Sequence, residues 1–196
     1  MKYVLAVTAL TAAVFGVGYE ICELDGGRCD PVSEWDFASN PSFEDATLDD
    51  QIPDDWFASG LSGNEGRDCT TAHTGSCSFQ MSARGANKIK TVSQLIDDQG
   101  IANESVLMTV FVKSEGKAQD SPTYSATFYH ADGSSETFTF PAEGGFHDWQ
   151  LYSADYHVMQ DYVSVEITLT FGGAEHIWFD DVQFIGHAAP PVGTPQ

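Results

Sequence analysis

From residue 76 onward, apolar and polar positions alternate in short runs separated by turn-forming residues, which is the period of β-strands and not of helices. Residues 76–83 alternate around Phe79 and Met81. Residues 162–171 set Val163, Val165, Ile167, Leu169 and Phe171 on one face and Ser164, Glu166, Thr168 and Thr170 on the other. Residues 105–113 (Ser-Val-Leu-Met-Thr-Val-Phe-Val-Lys) are apolar on both faces, which predicts a strand covered on both sides. Residues 124–130 and 135–140 flank Ala131-Asp-Gly-Ser134, a Gly-containing connection that predicts a hairpin, and residues 148–152 predict a further strand. Only residues 91–98 have a weak helical or turn-like character. There is no strand–helix alternation, no long amphipathic helix and no repeat at a fixed period, so the pattern predicts an all-β fold, an antiparallel sandwich or barrel.

The closing run, His176-Ile-Trp-Phe-Asp-Asp-Val-Gln-Phe184, carries two adjacent carboxylates inside a strand-like pattern. Strict alternation puts Trp178, Asp180, Val182 and Phe184 on one face and Phe179, Asp181 and Gln183 on the other. Asp180 then falls in line with core residues. A buried carboxylate needs a partner, and the chain has only 8 Lys plus Arg. Two readings stand open: Asp180 accepts backbone N–H groups at the rim of the core, or it ligates calcium.

Composition narrows the partners. With 29 Asp plus Glu the formal net charge is −21, and no basic patch exists to neutralise phosphates, so nucleic acid and anionic membranes are poor partners. Such acidity suits a solvated surface, a saline medium or divalent cations. Residues 4–17 form an apolar run after Met1-Lys-Tyr, of signal-peptide length, with Gly16 and Gly18 placing cleavage after residue 18. A retained anchor or pilin-like helix is the alternative. Export predicts a secreted, extracellular or cell-surface protein with its four cysteines oxidised, paired locally as Cys22 with Cys29 and Cys69 with Cys77. Zinc at Cys69, His73 and Cys77 is the competing reading, without an evident fourth ligand. The expected layout is a signal peptide over 1–18, a disulfide-tied lead-in over 19–39, one domain over 40–186 and a Pro-rich tail over 187–196. The aspartates of residues 45–55 lack the order of an EF-hand loop and read as a solvated loop.

Asn40-Pro-Ser-Phe-Glu44, Pro53-Asp-Asp-Trp56, Ala72-His-Thr-Gly-Ser-Cys-Ser78, Val110-Phe-Val-Lys113, Trp149 and Trp178-Phe-Asp-Asp-Val182 occur in an order that resembles the carbohydrate-binding module superfamily with a galactose-binding-like jelly roll, of the xylan- and β-glucan-binding type. The resemblance covers residues 38–186. It implies a jelly-roll β-sandwich, a polysaccharide or glycan partner, and a structural calcium held by Glu44 and Asp180, for which the loop of residues 70–76 would supply carbonyls. Pro41 stands where the family often has Gly, and a Cys69–Cys77 bridge is not a general family feature.

No G-x-S-x-G elbow, H-E-x-x-H, P-loop or dinucleotide fingerprint occurs, so the chain reads as non-catalytic. Glycoside hydrolysis needs only two placed carboxylates and is the one enzymatic class composition leaves open. A sugar-binding face needs exposed rings and hydrogen-bonding neighbours on a rigid sheet. If Ala126 and Phe128 face the core, Thr127 and Tyr129 face out; if Trp149 and Leu151 face in, Gln150 and Tyr152 face out beside Glu166. Tyr129, Gln150, Tyr152 and Glu166 are therefore the expected sugar contacts. The alternative function is a structural or adhesive surface protein that uses the same jelly roll for protein contacts or self-assembly. Exported material is expected to begin near Tyr19 and to hold no free thiol. Intact mass and thiol titration check both, and two reactive thiols would reopen the zinc reading.

Overall fold

The computed structural model describes residues 20–22, 29–31, 34–48, 51–63, 65–82, 89–115, 121–173 and 176–187. The expected signal peptide and residues 188–196 of the tail lie outside these. The chain divides into two units, Met1–Ser33 and Glu34–Gln196. In the first, β1 (Glu20–Cys22) and β2 (Cys29–Pro31) form an antiparallel ladder that sets Cys22 opposite Cys29. The side chains there are outside the described set, and so is the expected Cys22–Cys29 bond.

The second unit is an antiparallel β-sandwich, with no helix among the described residues. Its strands are β3 (Glu34–Asp36), β4 (Phe57–Ser59), β5 (Gly66–Asp68), β6 (Ser78–Ser82), β7 (Lys90–Ile96), β8 (Ser105–Glu115), β9 (Thr123–Tyr129), β10 (Ser135–Pro141), β11 (Phe146–His157), β12 (Ser164–Phe171) and β13 (His176–His187). One sheet has five strands in the order β10-β9-β12-β7-β4; the other has six, in the order β11-β8-β13-β6-β5 with β3 paired to the end of β13. Because β3 belongs to this sheet, the sandwich starts at Glu34, ahead of the expected boundary at residue 40, and β13 runs to His187.

The inward positions of both sheets meet in a single core. On β8, Val106, Met108, Val110 and Val112 are fully buried, as expected of a strand flanked on both sides, here by β11 and β13. On β12, Val165, Ile167, Leu169 and Phe171 point inward as the alternation requires, while Val163, just before the strand, is exposed. The β9–β10 hairpin forms around residues 130–134, with Gly133 at a positive φ of 84°. Each fully buried large apolar side chain contributes on the order of 2 kcal/mol.

Residues 91–98 differ from expectation. They lie in or just beyond β7, which alternates Val92, Gln94 and Ile96 inward with Ser93 and Leu95 outward. Gln94 disguised the period, because an amide occupies a core position. It is buried but satisfied: its Oε1 accepts from the Ser39 amide at 2.8 Å, and its Nε2 donates to the Ser39 carbonyl at 2.9 Å and the Asp55 carbonyl at 3.3 Å. A satisfied polar group in the core joins two loops to a strand without a desolvation penalty.

Lys90 and Glu65 form an ion pair with both side chains 2% exposed. The Lys90 ammonium donates to Glu65 and to the Ser82 carbonyl, and Glu65 also accepts from the Ser62 amide at 2.5 Å and the Ser82 amide at 2.9 Å. Burial holds the Lys90 pKa below its usual range. Lys90→Met leaves a buried carboxylate without its cation and is expected to cost about 3–5 kcal/mol in denaturant unfolding. Adding Glu65→Gln, which removes the second charge and keeps an acceptor oxygen for one of the two amides, is expected to recover part of that loss.

Candidate functional site

The N-terminal motif shows how local chemistry shapes one end of the sandwich. Asn40 sits at a positive φ of 45°, and its side-chain amide donates to the carbonyls of Asp45 at 2.8 Å and Asp54 at 3.0 Å, closing the acidic loop. Phe43 is fully buried between Trp56 and Phe79, with ring centroids 5.0 and 5.6 Å away. Glu44 then reaches the loop that precedes β6, where its Oε1 accepts from the amides of Ser76 at 2.7 Å and Cys77 at 2.9 Å. Gly75, at a φ of +61°, passes so close that a Cβ there would lie 2.2 Å from the Glu44 carboxylate. The Cys69–Cys77 disulfide closes this loop as expected, so neither thiol is left for zinc.

Asp180 holds the other side of the same loop. It is fully buried; its Oδ2 accepts from the amides of His73 at 2.7 Å and Thr74 at 3.2 Å, and its Oδ1 from its neighbour Asp181 at 2.8 Å. The expected facing of this run is corrected. A register shift between Asp180 and Gln183 interrupts β13, and Asp181 takes a positive φ of 47°. A bulge adds a residue and flips the alternation. Asp180 therefore pairs opposite Phe111 on the outer side of the sheet, under the 70–76 loop, while Phe179, Val182 and Phe184 face the core. Asp180 thus accepts backbone N–H groups, the first of its two expected arrangements. The loop turns amides and not carbonyls toward Glu44 and Asp180, and no group of three His, Cys, Asp or Glu side chains gathers among the described residues, so this donor set does not fit a calcium site as it stands.

Above Asp180 lies a second cluster. The Asp181 carboxylate bonds His73 Nδ1 at 2.6 Å and accepts from the hydroxyls of Thr74 at 2.6 Å and Ser42 at 2.7 Å. The His73 ring stacks on Phe111 with centroids 3.6 Å apart and meets the edge of Trp149 at 5.7 Å. Sequence patterning missed this grouping, because its members come from five separate segments. Ser42 donates to Asp181 and not to His73, so no Ser–His–Asp relay is formed.

The expected sugar contacts separate into two pairs. Tyr129 and Glu166 face outward on adjacent strands of the five-stranded sheet, with the Tyr129 hydroxyl donating to Glu166 at 2.9 Å, a bond that holds the phenol pKa above its usual range. Gln150 and Tyr152 do not lie beside Glu166 as expected: they are on β11 in the other sheet, opposite Val112 and Val110, with Gln150 exposed and Tyr152 half-buried. There the Tyr152 hydroxyl donates to Gln150 at 2.8 Å, and its ring packs against the core. A bulge between His147 and Gln150 shifts the phase of β11, so Leu151, expected inside, is 55% exposed beside Phe111. Around Tyr129 and Glu166, the outward positions of the five-stranded sheet are mostly Ser and Thr, with Leu95 and Phe57 exposed toward the β4 edge.

No family model and no curated protein matches the chain in sequence. Solved structures do match in fold. The CBM22-1 xylan-binding domain from Paenibacillus barcinonensis Xyn10C superposes with a TM-score of 0.58, at 16% identity over 82% of this chain and 100% of that domain. A CBM61 module in complex with β-1,4-galactotriose gives 0.54, at 14% identity over 76% of this chain and 97% of that one. The enzymatically active domain of bacteriophage CBA120 tailspike protein 4 gives 0.59, at 16% identity over 76% of this chain but only 21% of that chain.

Burial and the adjacent Asp181 charge oppose ionisation of Asp180 against its three amide bonds, and its pKa is pushed up to about 6. A folded-state pKa above the unfolded one contributes stability that is fully present below about 4 and lost as pH rises through about 6. Relative to Asp180→Asn, the wild type is therefore expected to gain melting temperature as pH falls from about 7 to about 5. Melting midpoints in calcium and in chelator are expected to coincide; a chelator-sensitive midpoint that disappears in Asp180→Asn would restore the ion. The chain has an antiparallel β-sandwich fold similar to that of these carbohydrate-binding modules.

Proposed function

We propose that this is an exported, non-catalytic carbohydrate-binding protein whose ligand lies on the outer face of the five-stranded sheet. The observation that carries the reading is the Tyr129–Glu166 pair, held at 2.9 Å on two adjacent strands of a rigid sheet and flanked by outward hydroxyls. A phenol ring offers a face to pyranose C–H groups, and a carboxylate fixed beside it selects hydroxyls. The fold likeness supports the reading, since xylan binding and a galactotriose complex are recorded for two of the similar modules. Export rests on the apolar run of residues 4–17 and on the Cys69–Cys77 disulfide.

A second reading, contact with another protein, is favoured by Leu151 at 55% exposure and Phe146 at 85% on the edge strand β11. Affinity electrophoresis of the full chain through gels containing xylan or β-1,4-galactan separates the two. Retardation is expected in at least one gel. Tyr129→Ala is expected to weaken binding by about 1–3 kcal/mol, as for loss of a stacking ring, with little change in melting temperature. Tyr152→Ala is instead expected to lower the melting temperature, because its ring packs on the core. Retardation by no polysaccharide would leave the protein-contact reading.

A further inference from the structure

The five-stranded sheet carries an ordered array of hydroxyls on its outer face. Register places Thr139, Ser125, Thr168 and Ser93 directly opposite one another across four adjacent strands, and Phe57 closes that row on the fifth. The next row runs Thr123, Thr170, Thr91 and Ser59. Beside the first row, Thr137 and Thr127 stand opposite each other with hydroxyls 3.0 Å apart, next to Glu166. Strands about 4.8 Å apart make the full row about 19 Å long.

Charge sets this face apart. The chain has 29 acidic residues, yet Glu166 is the only charged residue among the described outward positions of these five strands, and its Oε2 is already bonded to Tyr129. No Lys, Arg or Trp occupies those positions either. Tryptophan, the largest ring for stacking, is placed elsewhere: Trp56 and Trp178 are buried at 3% and 5% exposure, and Trp149 meets His73 on the other sheet. A face without cations gives an anionic ligand nothing to pair with, and the surrounding negative charge repels it. A hydroxyl both donates and accepts, so rows of them match a ligand that presents hydroxyls of its own.

We propose that the two rows are the specificity determinant of the face: they recognise a neutral, hydroxyl-rich polysaccharide laid across the strands by hydrogen bonding, with Phe57 as the ring at the end of the track. This rests on the carbohydrate reading above and adds which groups select the ligand. A site built around hydroxyl partners discriminates against ligands that leave its polar groups unpaired. Thr→Val removes a hydroxyl while keeping side-chain shape, so it tests the rows without opening a cavity on an exposed strand.

The experiment is calorimetric titration of the full chain with xylohexaose, soluble β-1,4-galactan and polygalacturonate, at low and at high salt. The neutral probe that binds is expected to do so with an affinity unchanged by salt, and polygalacturonate is expected not to bind. Thr168→Val and Thr91→Val are each expected to weaken binding roughly two- to tenfold, the range of one neutral hydrogen bond, at an unchanged melting temperature. Phe57→Ala is expected to weaken the longer ligand more than a disaccharide. Neutral binding that is lost in Tyr129→Ala but untouched by both valine variants would overturn the hydroxyl rows and leave the carbohydrate reading standing. Tight polygalacturonate binding would overturn the proposed ligand class. Binding of none of the probes, with the folded state verified by its melting curve, would overturn both.

Discussion

A fully buried carboxylate, Asp180, organises one end of this sandwich. Its partners are backbone amides from a loop more than a hundred residues earlier in the chain, at His73 and Thr74, so the last strand and that loop hold each other in place. Glu44 holds the same loop from the opposite end, and the Cys69–Cys77 bond limits where the loop can go. Amide donors satisfy the carboxylates at the cost of fixing three segments together, and that mutual fixing specifies the local geometry. The bulge after Asp180 follows from this. It lets Trp178 and Asp180 stay on the outer side while Val182 and Phe184 return to the core.

The two outer faces consequently differ in chemistry. Over the six-stranded sheet, the anchored loop lays His73 on Phe111 and against Trp149, and Asp181 holds the imidazole from below. That surface is crowded by its own loop. The five-stranded sheet has no such cover among the described residues, and its outward side chains are short and hydroxylated. The chain carries 29 acidic residues, yet Glu166 is the one charged residue among the described outward positions of these strands. The same β-sandwich thus has one face clamped by its own loop and another lined by short hydroxylated side chains.

Much of the fold was legible in the residues. Two-residue alternation exposed β9, β10 and β12, because each has one face in the core and its pleat is regular, and a run apolar on both faces exposed β8. The short spacing of Cys69 and Cys77 announced their bond, and phasing from Ala126 and Phe128 turned Tyr129 outward, whereas its neighbour Glu166 was expected beside Gln150 and Tyr152 and is brought to Tyr129 by strand pairing. β7 was hidden because Gln94 occupies a buried position, and only the distant carbonyls of Ser39 and Asp55 make that amide tolerable there.

What the residues determined by themselves is therefore the set of regular strands, the all-β class and the side chains on either face of each unbroken pleat. Tertiary structure decided the rest. The bulges in β11 and β13 reverse the facing of residues beyond them, and at β13 the residue at the bulge, Asp180, is held by an amide far away in sequence, that of His73. Sheet membership is likewise non-local: β11 pairs with β8 and β12 with β9 and β7, which separates Gln150 and Tyr152 from Glu166 although all lie close together along the chain. Periodicity reports which way a side chain points relative to its neighbours in one strand, and it carries no information about which strand lies alongside.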